Sequence, residues 1–161
     1  MVKSPAIDTS PLIFLSKASL IDLLQAFSSE IVVPQAVIIE VTAYGEEDIT
    51  VKTLKETDWL IAQNVGLIPE IIQKSDLGLG ESEVLTWGYN YPGTEVILDD
   101  LAARRCADTL GIPTRGTLGL VLRAKQRGHI SEARPILEQL RQSGMYLSDR
   151  ILEQALSRVG E

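Results

Sequence analysis

Five carboxylates occupy places from which a fold could gather them into one site: Asp8, Glu40, Glu81, Asp99 and Asp100. Asp8 and the pair at 99–100 each follow a short apolar run that predicts a β-strand. In open parallel sheets, ligands bind at the carboxyl ends of strands. Glu40 lies in an apolar helical segment, so we expect it to be largely buried and to need a cation or an arginine as its partner. Glu81 opens another predicted helix.

Carboxylates gathered within a few ångströms repel one another, which raises their pKa values or requires a cation. Hard divalent ions that prefer oxygen ligands, above all Mg²⁺ and Mn²⁺, meet this requirement. Such ions neutralise a phosphodiester, activate water and stabilise the leaving oxygen. The single cysteine (Cys106) excludes an internal disulfide, and the single histidine (His129) argues against a histidine-based zinc site. The acidic residues therefore predict metal-assisted hydrolysis of a phosphodiester.

Each acidic residue also has a simpler explanation. Asp8 and Asp100 could cap the helices that follow them. Glu81 could be favoured by the helix dipole alone, and Glu40 could lie on a solvent-facing edge of its helix. It is their occurrence together that favours a site.

The charge is distributed unevenly along the chain. The net charge is −7, but residues 1–100 carry 5 Lys and Arg against 16 Asp and Glu, whereas residues 101–161 carry 10 against 6. An acidic half and a basic half suit a metal pocket beside a phosphate-binding rim. We expect Arg104 and Arg123, on two predicted helices, to lie near the strand ends and contact phosphates. The alternative is an ordinary solvated helix face.

Short apolar runs alternate with helical segments, which predicts a three-layer α/β/α fold with a mainly parallel central sheet. We expect one domain over residues 1–128 and a C-terminal helical extension over 129–161 packed on it. The predicted strands cover 5–8, 30–33, 95–98 and 112–114, with an extra strand in 59–65. The apolar runs are too short to span a bilayer and no signal peptide is evident, so a cytoplasmic location is expected.

Four short motifs make the chain resemble PIN-domain nucleases, the group that includes the VapC-type toxins of bacterial toxin–antitoxin pairs. They are DTSPLI at 8–13, PQAVIIE at 34–40, GESE at 80–83, and LDD at 98–100 followed by AAR at 102–104. The GTLG segment at 116–119 is similar to one PIN subgroup. The resemblance spans roughly residues 4–125, and the last two helices also look like that subgroup.

The resemblance implies that Asp8, Glu40 and Glu81 are the first three acidic ligands of a Mg²⁺ or Mn²⁺ site. The fourth acid is Asp100 by its position before the next helix, or Asp99 by its distance from Glu81, and both stay open. A threonine is common in that turn, where this chain has a leucine. Thr9 or Ser10 could supply a hydroxyl to the attacking water or to a phosphate.

By the same resemblance, the expected function is that of an endoribonuclease acting on single-stranded RNA, as the toxin partner of a small antitoxin protein, with a homodimer left open. A second hypothesis is a catalytically degenerate PIN module that binds protein or RNA as a scaffold. All four acidic positions are filled, which argues against degeneration. A phosphoryl-transfer receiver domain fits poorly, because the late strand ends in Thr114-Arg115 rather than in a lysine.

Overall fold

The structure, a computed structural model, describes residues 3–161. A central sheet of five strands has the order β3-β2-β1-β4-β5, and every neighbouring pair is parallel. The strands are short and mostly buried, as expected where helices cover both faces of a sheet. Their bounds are Ala6–Ile7 for β1, Ile31–Pro34 for β2, Leu60–Gln63 for β3, Val96–Ile97 for β4 and Thr114–Arg115 for β5.

Helices flank this sheet, so the predicted three-layer α/β/α fold is confirmed. Helix α5 packs against β1, β2 and β4, α2 packs against β2 and β3, and α6 packs against β5. A 3-10 helix spans Ile21–Ala26. The α-helices are α1 (Thr9–Lys17), α2 (Gln35–Thr42), α3 (Ile49–Glu56), α4 (Glu70–Gln73), α5 (Leu79–Asn90), α6 (Leu101–Thr109), α7 (Thr117–Gln126), α8 (Arg134–Gln142) and α9 (Asp149–Ser157).

The order of the strands reverses between β1 and β4. From β1 the chain moves outward through β2 and β3, and then returns to the other side of β1 to add β4 and β5. The register pairs Ala6 with Val96 and Ile7 with Ile97. Loops that follow two such strands diverge and leave a crevice between them, which is where open α/β sheets bind ligands.

The C-terminal helices share the core of the sheet domain. Leu137 and Leu140 of α8 and Leu152 and Leu156 of α9 are buried in the same apolar cluster as the strands. The side-chain amide of Gln139 also donates a hydrogen bond to the carbonyl of Ala18, just after α1. None of the helices within residues 3–161 is both long enough and apolar enough to cross a membrane.

The ends of several helices follow from the local sequence. Ser148 caps α9 by accepting a hydrogen bond from the backbone N–H of Ile151, and Asp48 caps α3 in the same way through Thr50. Gly111 follows α6 with φ +72°, the left-handed conformation that glycine adopts most readily after a helix. Pro34 is the last residue of β2 and the N-cap of α2, and it has the extended backbone conformation of a capping position.

Candidate active site

The acidic residues meet at the carboxyl ends of β1 and β4. Asp8 directly follows β1, while Asp99 and Asp100 follow β4 after one buried leucine. The backbone N–H of Asp8 donates a hydrogen bond of 3.0 Å to the carbonyl of Ile97, which fixes the two loops side by side. The parallel pairing of β1 with β4 therefore brings Asp8 to the same edge of the sheet as Asp99 and Asp100. This edge lies where the order of the strands reverses.

Asp8 is the most perturbed acid of this site. Its side chain is only 5% exposed, and burial raises its pKa from 3.8 to about 7. A hydrogen bond from the backbone of Thr9 opposes the rise, while the charges of Glu81, Glu40 and Asp99 add to it. A carboxylate in these surroundings must take up a proton or acquire a cation near neutral pH.

Glu40 projects from α2 toward α1 and α5. Its carboxylate accepts a hydrogen bond of 2.6 Å from the Thr9 hydroxyl and one of 3.1 Å from the backbone N–H of Gly80. Contrary to expectation, Glu40 is exposed, as is its neighbour Ile39. Apolar side chains on an eight-residue helix do not guarantee burial, because much of any protein surface is apolar.

Gly80 gives the Glu40 carboxylate its space. A Cβ atom at this position would lie 2.7 Å from Oε1 of Glu40, closer than real Cβ atoms approach an oxygen. The next residue, Glu81, lies in the first turn of α5. Burial raises the pKa of Glu81, the charges of Asp100 and Glu40 raise it further, and a hydrogen bond from the Gly78 backbone opposes the rise.

Glu83 supports this arrangement indirectly, through the position of α2. Its Oε1 accepts a hydrogen bond of 2.8 Å from the backbone N–H of Ala36, in the first turn of α2. This hydrogen bond anchors α2 to α5. The helix that carries Glu40 is thus tied to the helix that carries Glu81.

Asp99 and Asp100 are held differently. Asp100 caps α6, since its side chain accepts a hydrogen bond of 3.0 Å from the backbone N–H of Ala103. Asp99 accepts two hydrogen bonds from Thr117, 2.8 Å from its backbone N–H and 2.6 Å from its hydroxyl. Asp99 raises the pKa of Asp8, and Asp100 raises that of Glu81, so both carboxylates act on the site.

Thr117 is a residue that the sequence analysis missed. It is fully buried, yet its hydroxyl is hydrogen-bonded to Asp99, which satisfies both groups. The GTLG segment could have indicated this role, because a threonine between a glycine and a helix commonly forms a hydrogen bond with a neighbouring polar group.

The predicted substrate contacts separate into two groups. Thr9 lies in the site, but its hydroxyl is engaged with Glu40, and Ser10 is exposed in the first turn of α1. Arg104 lies beside the site, where its Nη1 donates a hydrogen bond of 3.1 Å to the carbonyl of Leu98.

Arg123 does not lie where the sequence analysis placed it. Its guanidinium pairs with Glu95 at 3.3 Å, and Glu95 precedes β4, whereas the acidic site follows that strand. Arg123 is also six residues beyond Thr117 along α7, which at 1.5 Å per residue is about 9 Å. The helix thus carries it away from the carboxyl ends of the strands.

Two observations bear on whether these residues fit a metal ion. Over the described range, 3–161, no group of three or more His, Cys, Asp or Glu side chains is arranged closely enough to hold one. The chemistry of the donors, however, fits a hard divalent cation, since they are all carboxylate oxygens. The pKa of Asp8 is raised chiefly by burial, and the charges of Glu81, Glu40 and Asp99 raise it further.

Comparison with known proteins gives one match. A family model described as a PIN domain matches residues 5–161, nearly the whole chain. No curated protein matches the chain, and no solved structure does.

Proposed function

Because this chain belongs to the PIN-domain family, whose members are typically metal-dependent nucleases, we propose that it is an endoribonuclease that hydrolyses single-stranded RNA with Mg²⁺ or Mn²⁺. The observation that carries the proposal is the meeting of acids from four separate segments around Asp8. A buried carboxyl with a pKa of about 7 among further carboxylates is costly for the fold. Such a cost is typical of functional sites.

In this proposal Asp8, Glu40 and Glu81 hold the cation, together with Asp99 or Asp100. The cation would supply neutralisation of the phosphate and a lower pKa for the attacking water. The protein positions these ligands through Gly80, Glu83 and Thr117, which lie outside the ligand set.

The distribution of basic residues supports a polyanion as the substrate. The site itself repels phosphates, so a bound strand needs cationic groups close by. Arg104 lies beside Asp99 and, within residues 3–161, forms no ion pair with a carboxylate. Its guanidinium is therefore available to a phosphate near the scissile bond. The choice of RNA over DNA rests on the resemblance to VapC-type toxins.

The same resemblance supports a biological role as the toxin of a toxin–antitoxin pair, acting in the cytoplasm. A small antitoxin protein would then bind the nuclease and inhibit it. The protein encoded by the neighbouring open reading frame should form a complex with this chain and suppress RNA cleavage. If that protein neither binds nor inhibits, the toxin role is contradicted while the nuclease remains.

A second candidate is a PIN module that binds RNA or protein without cutting it. The observation in its favour is that Glu40 and Asp99 are engaged by protein donors rather than grouped as ligands. This candidate predicts RNA binding that needs no divalent ion and no cleavage under any condition.

The test combines cleavage with metal binding. Wild-type protein should cleave single-stranded RNA with Mg²⁺ or Mn²⁺ and not with EDTA, and Asp8→Asn should lower the rate at least about a hundredfold. In thermal melts, millimolar Mg²⁺ or Mn²⁺ should raise the Tm of the wild type, because the ion binds only the folded state. The double variant Asp8→Asn with Glu40→Gln should lose that rise.

A matched control removes the same charge elsewhere. Glu46 and Glu47 are exposed residues before α3, and their double replacement by glutamine should leave both cleavage and the metal-dependent rise in Tm intact. An unchanged metal response in the Asp8 and Glu40 double variant would overturn the assignment of those ligands. Equal cleavage of single-stranded DNA would overturn only the choice of RNA.

A further inference from the structure

A second concave surface adjoins the acidic site along the edge of the sheet. It is an open groove of about 400 Å³ beside the edge strand β5. Asp99 lines it, together with Arg104 of α6, Arg115 of β5 and Arg158, the residue that follows α9. We call this surface the edge groove. Since Asp99 belongs to both, the edge groove continues directly from the acidic site.

The positive charge of the edge groove is largely uncompensated. Arg115 is paired with Glu95 at 3.1 Å, but Arg104 and Arg158 have no carboxylate within 4.0 Å in the part of the chain that the structure describes. Asp99 keeps its own negative charge, since the N–H and hydroxyl of Thr117 are neutral donors, so it offsets only one of the positive charges and leaves the edge groove with an excess of them. Cationic groups from separate elements that converge without counter-charges favour an anionic ligand.

Two glycines keep the edge groove open. A Cβ atom on Gly116 would lie 2.8 Å from Nη1 of Arg104 and 3.1 Å from Oδ1 of Asp99, and one on Gly119 would lie 3.0 Å from Cδ of Arg115. Neither glycine has a positive φ, so their backbone does not require glycine. These glycines leave space for the arginine side chains. The GTLG segment therefore shapes the edge groove as well as beginning a helix.

Between the arginines the edge groove is apolar. Leu101 is 60% exposed at its rim, and Leu118 and Leu122 line its wall. Guanidinium groups beside apolar surface match the two components of a nucleotide, the charged phosphate and the flat, weakly polar face of the base or sugar. A small inorganic anion would leave the leucines without a partner.

We propose that the edge groove binds the part of a single-stranded RNA that flanks the scissile phosphate, with Arg158, at the C-terminal end of α9, contacting a neighbouring phosphate. This inference rests on the proposed function, because it takes the acidic site as the place of cleavage. It makes the C-terminal end of α9 part of the substrate-binding surface. A substrate too short to reach the edge groove gains nothing from Arg158.

The experiment compares an arginine within α9 with the arginine that directly follows this helix. Arg158→Gln alters the edge groove, and Arg150→Gln removes an equal charge from an exposed position of α9 outside it. In an Asp8→Asn background with EDTA, fluorescence anisotropy with a labelled single-stranded RNA should show about tenfold weaker binding for Arg158→Gln at low salt. The slope of log affinity against log salt should become shallower by about 0.7. Arg150→Gln should change neither value.

A cleavage assay with otherwise wild-type protein provides the second measurement. Arg158→Gln should lower kcat/KM for a long RNA and leave cleavage of a dinucleotide unchanged. Equal effects of Arg158→Gln and Arg150→Gln on binding, or equal losses on long and short substrates, would overturn the inference. If wild-type protein does not cleave RNA, the proposed function fails, and the anisotropy comparison still decides whether the edge groove binds RNA.

Discussion

Replacing Asp8 with asparagine should stabilise the metal-free protein above neutral pH, although it removes a residue of the active site. Burial holds the pKa of Asp8 at about 7 in the folded state, against 3.8 for an ordinary aspartate. The folded protein therefore binds this proton more tightly than the unfolded chain does. Stability from this group is fully present below about pH 4 and is lost as the pH rises toward 7. Asparagine, which does not ionise, carries no such penalty.

The size of the effect follows from the pKa values. Each pKa unit corresponds to about 1.4 kcal/mol, so a rise from 3.8 to about 7 amounts to roughly 4 kcal/mol at pH 8. Asparagine keeps one side-chain oxygen for the hydrogen bond from Thr9, so most of this gain should be retained. We expect a net stabilisation of roughly 2 to 4 kcal/mol at pH 8 and close to none at pH 4.

The measurement is urea denaturation with EDTA at several pH values between 4 and 8, for the wild type, for Asp8→Asn and for Asp58→Asn. Asp58 is exposed, so its replacement should leave the pH dependence of the wild type unchanged. Adding Mg²⁺ should recover stability in the wild type at pH 8 and have little effect on Asp8→Asn. Parallel curves for the wild type and Asp8→Asn across this range would refute the reasoning from burial and charge.

Three further predictions concern the residues around Asp8. Asp99→Asn and Asp100→Asn, made separately, should differ in cleavage rate. The true metal ligand should lose at least about a hundredfold, and its neighbour far less. If both variants cleave at the wild-type rate, neither residue is a ligand. Gly80→Ala should lower cleavage, since its methyl group displaces the Glu40 carboxylate, and a crystal structure with that carboxylate unmoved would contradict this. Thr117→Val should cost about 1 to 3 kcal/mol in urea denaturation, because Asp99 loses its hydroxyl donor, and Thr117→Ser should restore most of it.

Most of the fold can be predicted from the sequence, because local patterns mark the helices and strands. Helix α7, for example, has Arg123 and Lys125 in its last turn, a local pattern that favours the C-terminal end of a helix. Strand bounds were less accurate: β4 covers two residues, although the apolar run predicts four. A strand ends where its hydrogen-bonded partner ends, and β4 pairs with the equally short β1 and β5. Local sequence does not contain that information.

The site was predictable only in part. Acids at strand ends follow from the topology, so the approach of Asp8 to Asp99 could be anticipated. The exposure of Glu40 and the ion pair of Arg123 with Glu95 could not, since each depends on which face of a helix meets the rest of the protein. Thr117 was missed for a related reason: its partner lies 18 residues earlier in the chain.

The pairing of β1 with β4 also has a consequence for the order of events during folding. Ala6 pairs with Val96, and both oxygens of Asp99 accept hydrogen bonds from Thr117, so the site depends on contacts between distant parts of the chain. Contacts of this kind form late, after the loop-closure entropy has been overcome. A nascent chain emerging from the ribosome would hold its acids apart until α7 is outside the tunnel. Any activity that depends on this site would then appear only after α7 has emerged.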